Sequence, residues 1–137
     1  MGPMNVDIPL GHTSKVAGYP PINDYALIGD CRSAGLISRD GSLDWLCFPR
    51  FDSPSIFAAL LDAKDGGRFC IRPTGEFWSE RRYLPDTNVL ETTFRCPNGA
   101  FVLRDLMSIS SEEDKRASLT PEHEVLREGK GSTVRSR

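Results

Sequence analysis

Histidine is almost missing from this 137-residue chain; the two present, His12 and His123, lie far out toward the termini. That scarcity weakens any constellation that needs an imidazole base beside Ser or Cys. Cysteine is limited to Cys31, Cys47, Cys70 and Cys96, with no C-x-x-C pair. The spacing suits no zinc site, so no metal is expected. Three of the four sit in strand-like apolar runs, where a free thiol behaves as a small buried hydrophobe. An excess of one charge is also lacking: 17 basic residues face 19 acidic ones. The near balance argues against a general polyanion binder, and no nucleic-acid partner is expected. No run is long enough to span a membrane. The first residues, "MGPMNVDIPLGHTSKVAGYPP", lack the apolar stretch of about 7–15 residues that marks a secretory signal. The default reading is therefore a cytoplasmic protein. Phosphate loops are absent as well: "DAKDGGRF" has paired glycines but neither the GK[ST] ending nor dinucleotide spacing. No cofactor is expected.

What remains is an ordinary globular composition, 39% hydrophobic and 26% charged, with length for one domain and a proper core. Residues 1–21 are rich in Gly and Pro without a sustained period and read as an irregular leader. Residues 22–110 carry the pattern of a β domain. Short apolar runs at 25–30, 34–38 and 43–48 are followed by strand candidates at 67–73, 76–84, 89–96 and 100–108, with turn residues between them. "CPNGA" supplies an Asn-Gly hairpin signal. The expectation is an antiparallel β-sandwich, with one short helix near 54–62. From Ser111 to Arg137, twelve of 27 residues are charged and none is aromatic. This reads as a charged tail, partly disordered.

Candidate chemistry concentrates in "LISRDGSLDWLCFPRFDS" (36–53), where Asp40, Asp44 and Asp52 suggest paired carboxylates. Paired acids hydrolyse glycosidic bonds when they flank the scissile bond in different environments. Local chemistry gives each a simpler explanation. Asp40-Gly41 between two strand-like runs is a hairpin turn, Gly supplying positive φ and Asp bonding its own backbone. Alternation places Asp44 with Leu46 and Phe48, opposite Leu43, Trp45 and Cys47. An unpaired charge there is costly, so Asp44 needs a partner such as Arg32, Arg39 or a backbone amide. Ser53 reads as a helix N-cap with Pro54 at the first helical position, and Asp52 sits near the positive end of that helix. No catalytic residue is assigned.

The pieces "DYALIGD" (24–30), "SRDGSLDWLC" (38–47), "PRFDSPSIFAALL" (49–61), "YLPDTNVLETTF" (83–94) and "RDLM" (104–107) together resemble the start of glycoside hydrolase family 15 proteins, the trehalase and glucoamylase-like group. The resemblance covers roughly residues 22–127. It implies the N-terminal trehalase-like β-sandwich, which in that family precedes an α/α-barrel catalytic domain in the same polypeptide. The barrel carries the two glutamates of an inverting hydrolysis, and no residue here matches either one. "PEHEVLR" (121–127) resembles the family's next strand. After Arg127 the pattern dissolves into "EGKGSTVRSR", as expected for an incomplete sandwich cut before the barrel, with an open edge that favours self-association.

These readings make the chain a non-catalytic portion of an α-glucosidase that supports a barrel partner, in cis in relatives or in trans here. Trp45, Arg50 and Asp52 are candidates for contact with an α-glucoside ligand or for bracing the domain interface. The alternative is a free-standing carbohydrate-binding or protein-interaction module.

Overall fold

The computed structural model describes residues 19–109 and 125–133, and within the last segment the side chain of Arg127 alone. Among the described residues, nine strands make two antiparallel sheets: β1 Tyr25–Gly29, β2 Ala34–Ser38, β3 Ser42–Cys47, β4 Ser55–Phe57, β5 Phe69–Cys70, β6 Trp78–Tyr83, β7 Leu90–Cys96, β8 Gly99–Met107 and β9 Val125–Thr133. The first sheet runs β1-β2-β3-β4, with β5 also pairing with β3; the second runs β6-β7-β8-β9. The sandwich expected from the alternating pattern is the fold observed.

Between the sheets, Ile28, Ile37, Leu43 and Leu46 meet Leu90 and Met107, with Ala26, Phe48 and Phe57 packed against them. Each fully buried Leu or Ile contributes about 1.5–3 kcal/mol. On β7 the more apolar face read from the sequence is the inward one: Leu90, Thr92 and Phe94 are all buried. Gly35 sits on the inner face of β2, where an added Cβ would lie 3.0 Å from a Leu43 methyl and 3.5 Å from that of Met107.

The open edge of β1 is closed by side chains from the second sheet. The Tyr83 hydroxyl accepts from Leu27 N (3.1 Å) and donates to Leu27 O (2.7 Å). Asn88 donates to Gly29 O, while Arg81 ties down the carbonyls of Asn23, just ahead of β1, and of Ile37 in β2. A strand edge whose groups are already used is a poor template for another chain.

Three expectations are corrected. Among the described residues the helix near 54–62 does not form; Ser55–Phe57 is strand β4, paired with Leu46 and Cys47, and turns follow. Tertiary pairing overrides the helix-favouring composition. Ala58 and Ala59 donate not along a helix but to the carbonyls of Gly66 and Gly67, which closes a loop. Ser53 is therefore no helix cap; its hydroxyl accepts from Arg50 N (3.2 Å) within the preceding turn, and Pro54 leads into a strand. The second correction concerns faces: Leu43 and Leu46 both enter the core, although strict alternation would separate them. A bulge is responsible, since Leu36 faces Trp45 while Ile37 faces Leu43, leaving Asp44 as the extra residue. The third concerns thiols: only Cys47 is buried, while Cys31 and Cys70 are exposed and Cys96 lies between.

Residues 110–124 and 1–18, which hold most of the expected tail and leader, lie outside the described residues. Of the strand expected at 121–127, residues 125–127 open β9, which continues to Thr133 in register with β8; residues 121–124 lie outside the described residues.

Candidate functional site

The 36–53 stretch folds as the β2–β3 hairpin and the turn beyond it. Gly41 adopts φ +81° and its N–H bonds to Ser38 O at 3.0 Å, the turn geometry that Asp40-Gly41 foretold. Asp40 accepts from the Ser38 hydroxyl and pairs with Arg72, so both its oxygens serve the turn. The Gly41 carbonyl accepts from Ile71 N (3.1 Å) and from Arg127 (2.7 Å), which makes the turn a junction between the two sheets.

Asp44, 2% exposed, is satisfied by hydroxyls rather than by the arginines or amide expected. Tyr25 donates to one oxygen at 2.8 Å and Ser42 to the other at 2.5 Å, with Arg68 at 4.0 Å. Arg39 instead faces Asp24 at 3.5 Å. Burial, reinforced by the bond to Asp44, pushes the Tyr25 phenol well above its ordinary range. A carboxylate shielded in this way braces the bulge and has no open side for a substrate.

Asp52 and Arg50 do meet, at 3.2 Å, but in the open: their side chains are 77% and 71% exposed. Trp45 stands on β3 opposite Leu36 of β2, half-buried. The structure thus brings Arg50 and Asp52 together in a surface loop and leaves Trp45 on the sheet. An open cleft of about 290 Å³ lies elsewhere, between β1 and β6, with Tyr25, Leu27, Arg81 and Tyr83 among its walls and no Asp or Glu in its lining. Among the described residues no group of three or more His, Cys, Asp or Glu is placed to hold a metal ion.

Two charge clusters escaped the sequence reading. On the outer face of the second sheet, Glu91 of β7 accepts from Arg82 on one side (2.8 Å) and Arg104 on the other (3.0 Å). Those bonds, Arg82's first, hold its carboxyl below the usual range. On the inner face, Asp105 of β8 is fully buried and meets Arg127 of β9 at 2.5 Å. The same guanidinium donates to Phe69 O (2.6 Å) and Gly41 O (2.7 Å) and lies 4.9 Å from the Phe69 ring centre. Burial pushes the Asp105 carboxyl up even against this partner. The available signal was Asp105 itself: alternation puts it on the face of Leu103 and Met107, where a charge demands a counter-charge.

A sandwich with well-satisfied carboxylates and no assembled acid pair is compatible with many roles, and comparison with known proteins narrows them. The family described as trehalase-like, N-terminal, matches residues 15–123, most of the chain. The chain belongs to that family. This trehalase-like domain is 39% identical over 117 residues to a trehalase of Mycolicibacterium smegmatis, covering 82% of this chain and 17% of that protein. It is 43% identical over 97 residues to a trehalase of Mycobacterium tuberculosis (70% of this chain, 14% of that protein). A trehalase of Thermoplasma volcanium is 41% identical over 91 residues (65% and 14%). The domain therefore spans about one-sixth of the length of these relatives. No solved structure matches the chain significantly. Among the described residues, no helix is long and apolar enough to cross a membrane.

Proposed function

We propose that this trehalase-like domain is the non-catalytic N-terminal β-sandwich of a glycoside hydrolase family 15 α-glucosidase, of trehalase or glucoamylase type. In this reading it packs on an α/α-barrel catalytic domain and supports it, in the cytoplasm. The observation that carries the reading is the family match over residues 15–123 in proteins named trehalase of which the chain spans 14–17%. The site geometry supports it. Asp40 is used by a turn, Asp44 is closed off by hydroxyls, and Asp52 is paired with Arg50 in solvent. None of the three has a second carboxyl set across a pocket from it, as glycoside hydrolysis requires. Arg50 and Asp52, exposed and mutually paired, are charged residues of this stretch left available to an adjoining domain or a sugar hydroxyl.

The test is glucose release from trehalose, maltose and an α-glucan. This chain alone is expected to release none. Placed in the Mycolicibacterium smegmatis trehalase in exchange for the matching segment, it is expected to sustain turnover. In that chimera, Arg50→Ala and Asp52→Ala separate two roles: lost turnover with unchanged melting marks a sugar contact, and loss of both marks an interface brace. Hydrolysis by the chain alone would overturn the reading. Calorimetric binding of trehalose by the chain alone would favour a free-standing sugar-binding module instead.

A further inference from the structure

The two outer faces of the sandwich differ in kind. On the second sheet, Arg82, Glu91 and Arg104 form an ion-paired row across β6, β7 and β8, and Glu80 lies 3.8 Å from Arg95 nearby. Such a face is at home in water. On the first sheet, register aligns Leu27 of β1 with Leu36 of β2, and Leu36 with Trp45 of β3. Because Ile28, Ile37 and Leu46 point into the core, these neighbours point outward. Ile56 of β4 borders this row rather than continuing its register: it is the residue left unpaired where Leu46 faces Phe57 and Cys47 faces Ser55, and it is exposed. Leu27 is 48% exposed and Ile56 53%, while Leu36 and Trp45 are half-buried. Four adjacent strands about 4.8 Å apart make a stripe roughly 14 Å long.

We propose that this outward stripe, Leu27–Leu36–Trp45–Ile56, is the surface on which the larger remainder of the polypeptide seats in the full-length relatives. The inference rests on the proposed function and adds to it the face and the chemistry of the joint. The relatives supply the occupant: some five-sixths of their length lies outside the part this chain matches. An aliphatic row flanked by one aromatic ring selects an apolar counter-surface, since burying it against polar groups would gain little. Joining by strand addition at β1 is disfavoured, because Tyr83 and Asn88 already occupy that edge at Leu27 and Gly29. Packing on the face is the route left to the first sheet at that end.

The experiment uses the chimera above, with Leu27→Arg and Ile56→Arg singly and together, and Glu80→Ala with Arg95→Ala as the second-sheet control. Melting of the 137-residue chain carrying each change shows whether the sandwich itself tolerates it. Should Leu27→Arg lower that melting point, Ile56→Arg alone decides. The expected result is a single melting transition and turnover in the unsubstituted chimera. The paired arginines should split the transition in two and lower turnover at least tenfold, and the control should change neither. An active chimera indifferent to both arginines would overturn the face assignment and leave the proposed function standing. A chimera whose unsubstituted sandwich melts separately and supports no turnover would overturn the proposed function, and the stripe's role with it. A dimer of the isolated chain abolished by Leu27→Arg would assign the stripe to a second copy instead.

Discussion

Removing Arg127 is expected to be the most damaging single change to this domain. The guanidinium is 3% exposed and the Asp105 carboxylate 0%, so neither charge has water to fall back on. Truncating one partner of such a buried pair costs about 3–5 kcal/mol, chiefly because the other is left uncompensated. A domain of this size has about 5–15 kcal/mol in total, so Arg127→Met or Asp105→Leu alone should remove a fifth or more. In melting this is a fall of roughly 10–15 °C. The double substitution should recover most of the loss, because no buried charge then remains. Recovery should stop about 1–2 kcal/mol short of wild type, since Arg127 also bonds two carbonyls. Of these, Gly41 O keeps its bond from Ile71 N, so Phe69 O bears more of that residue. Urea titrations of the four proteins, read by tryptophan fluorescence, give the cycle directly. A single-substitution cost below about 1 kcal/mol, or a double whose cost equals the sum of the singles, would refute the reasoning.

Three further substitutions probe other parts of the fold. Gly41→Ala places a Cβ 2.4 Å from Ile71 O and 2.9 Å from a Phe94 ring carbon at φ +81°; the left-handed backbone and the crowding together should cost about 2–4 kcal/mol. Gly75→Ala, with φ +91° and nothing within 4 Å, should cost only about 1–2 kcal/mol, and equal costs at the two sites would show that contact plays no part. For Glu91, a folded pKa depressed by Arg82 and Arg104 means stability that is present above the unfolded value of about 4.3 and lost as pH falls through the folded one. Glu91→Gln should therefore have a lower urea midpoint than wild type at pH 7, with the gap narrowing as pH falls below the unfolded value; a gap unchanged by acid would sink the assignment.

Much of the architecture was legible because it rests on local signals. Asp40-Gly41 marks its hairpin, and the run Ala34–Ser38 reads as a strand with the bounds it has. Asn98-Gly99 marks the next hairpin, although Pro97 and Asn98 form its loop and Gly99 already pairs with Cys96. The segment after Pro54 was misread because "SIFAALLD" has the composition of a helix, whereas its backbone is claimed by partners on β3 and at Gly66 and Gly67. A period of two cannot see a bulge: it groups Asp44 with Leu46 and Leu43 with Trp45, whereas Leu43 enters the core with Leu46 and Asp44 bonds Tyr25 and Ser42, the neighbours of core-packed Ala26 and Leu43. Those two partners are hydroxyls, which a search for counter-charges passes over. Among the site candidates, the Arg50–Asp52 proximity follows from two residues in one turn. Distant pairings such as Asp105 with Arg127 depend on sheet register, which no local window contains.

That last pairing sets an order of events during synthesis. Asp105 leaves the ribosome 22 residues ahead of Arg127. At about 5–20 residues per second, it waits on the order of one to four seconds for its counter-ion. Through that interval the inner face of β8 carries a carboxylate that resists being sealed against the first sheet. Sealing the sandwich before Arg127 is available would bury that carboxylate without its counter-ion, whereas with Arg127 in place one guanidinium ties together β8, β5 and the hairpin turn.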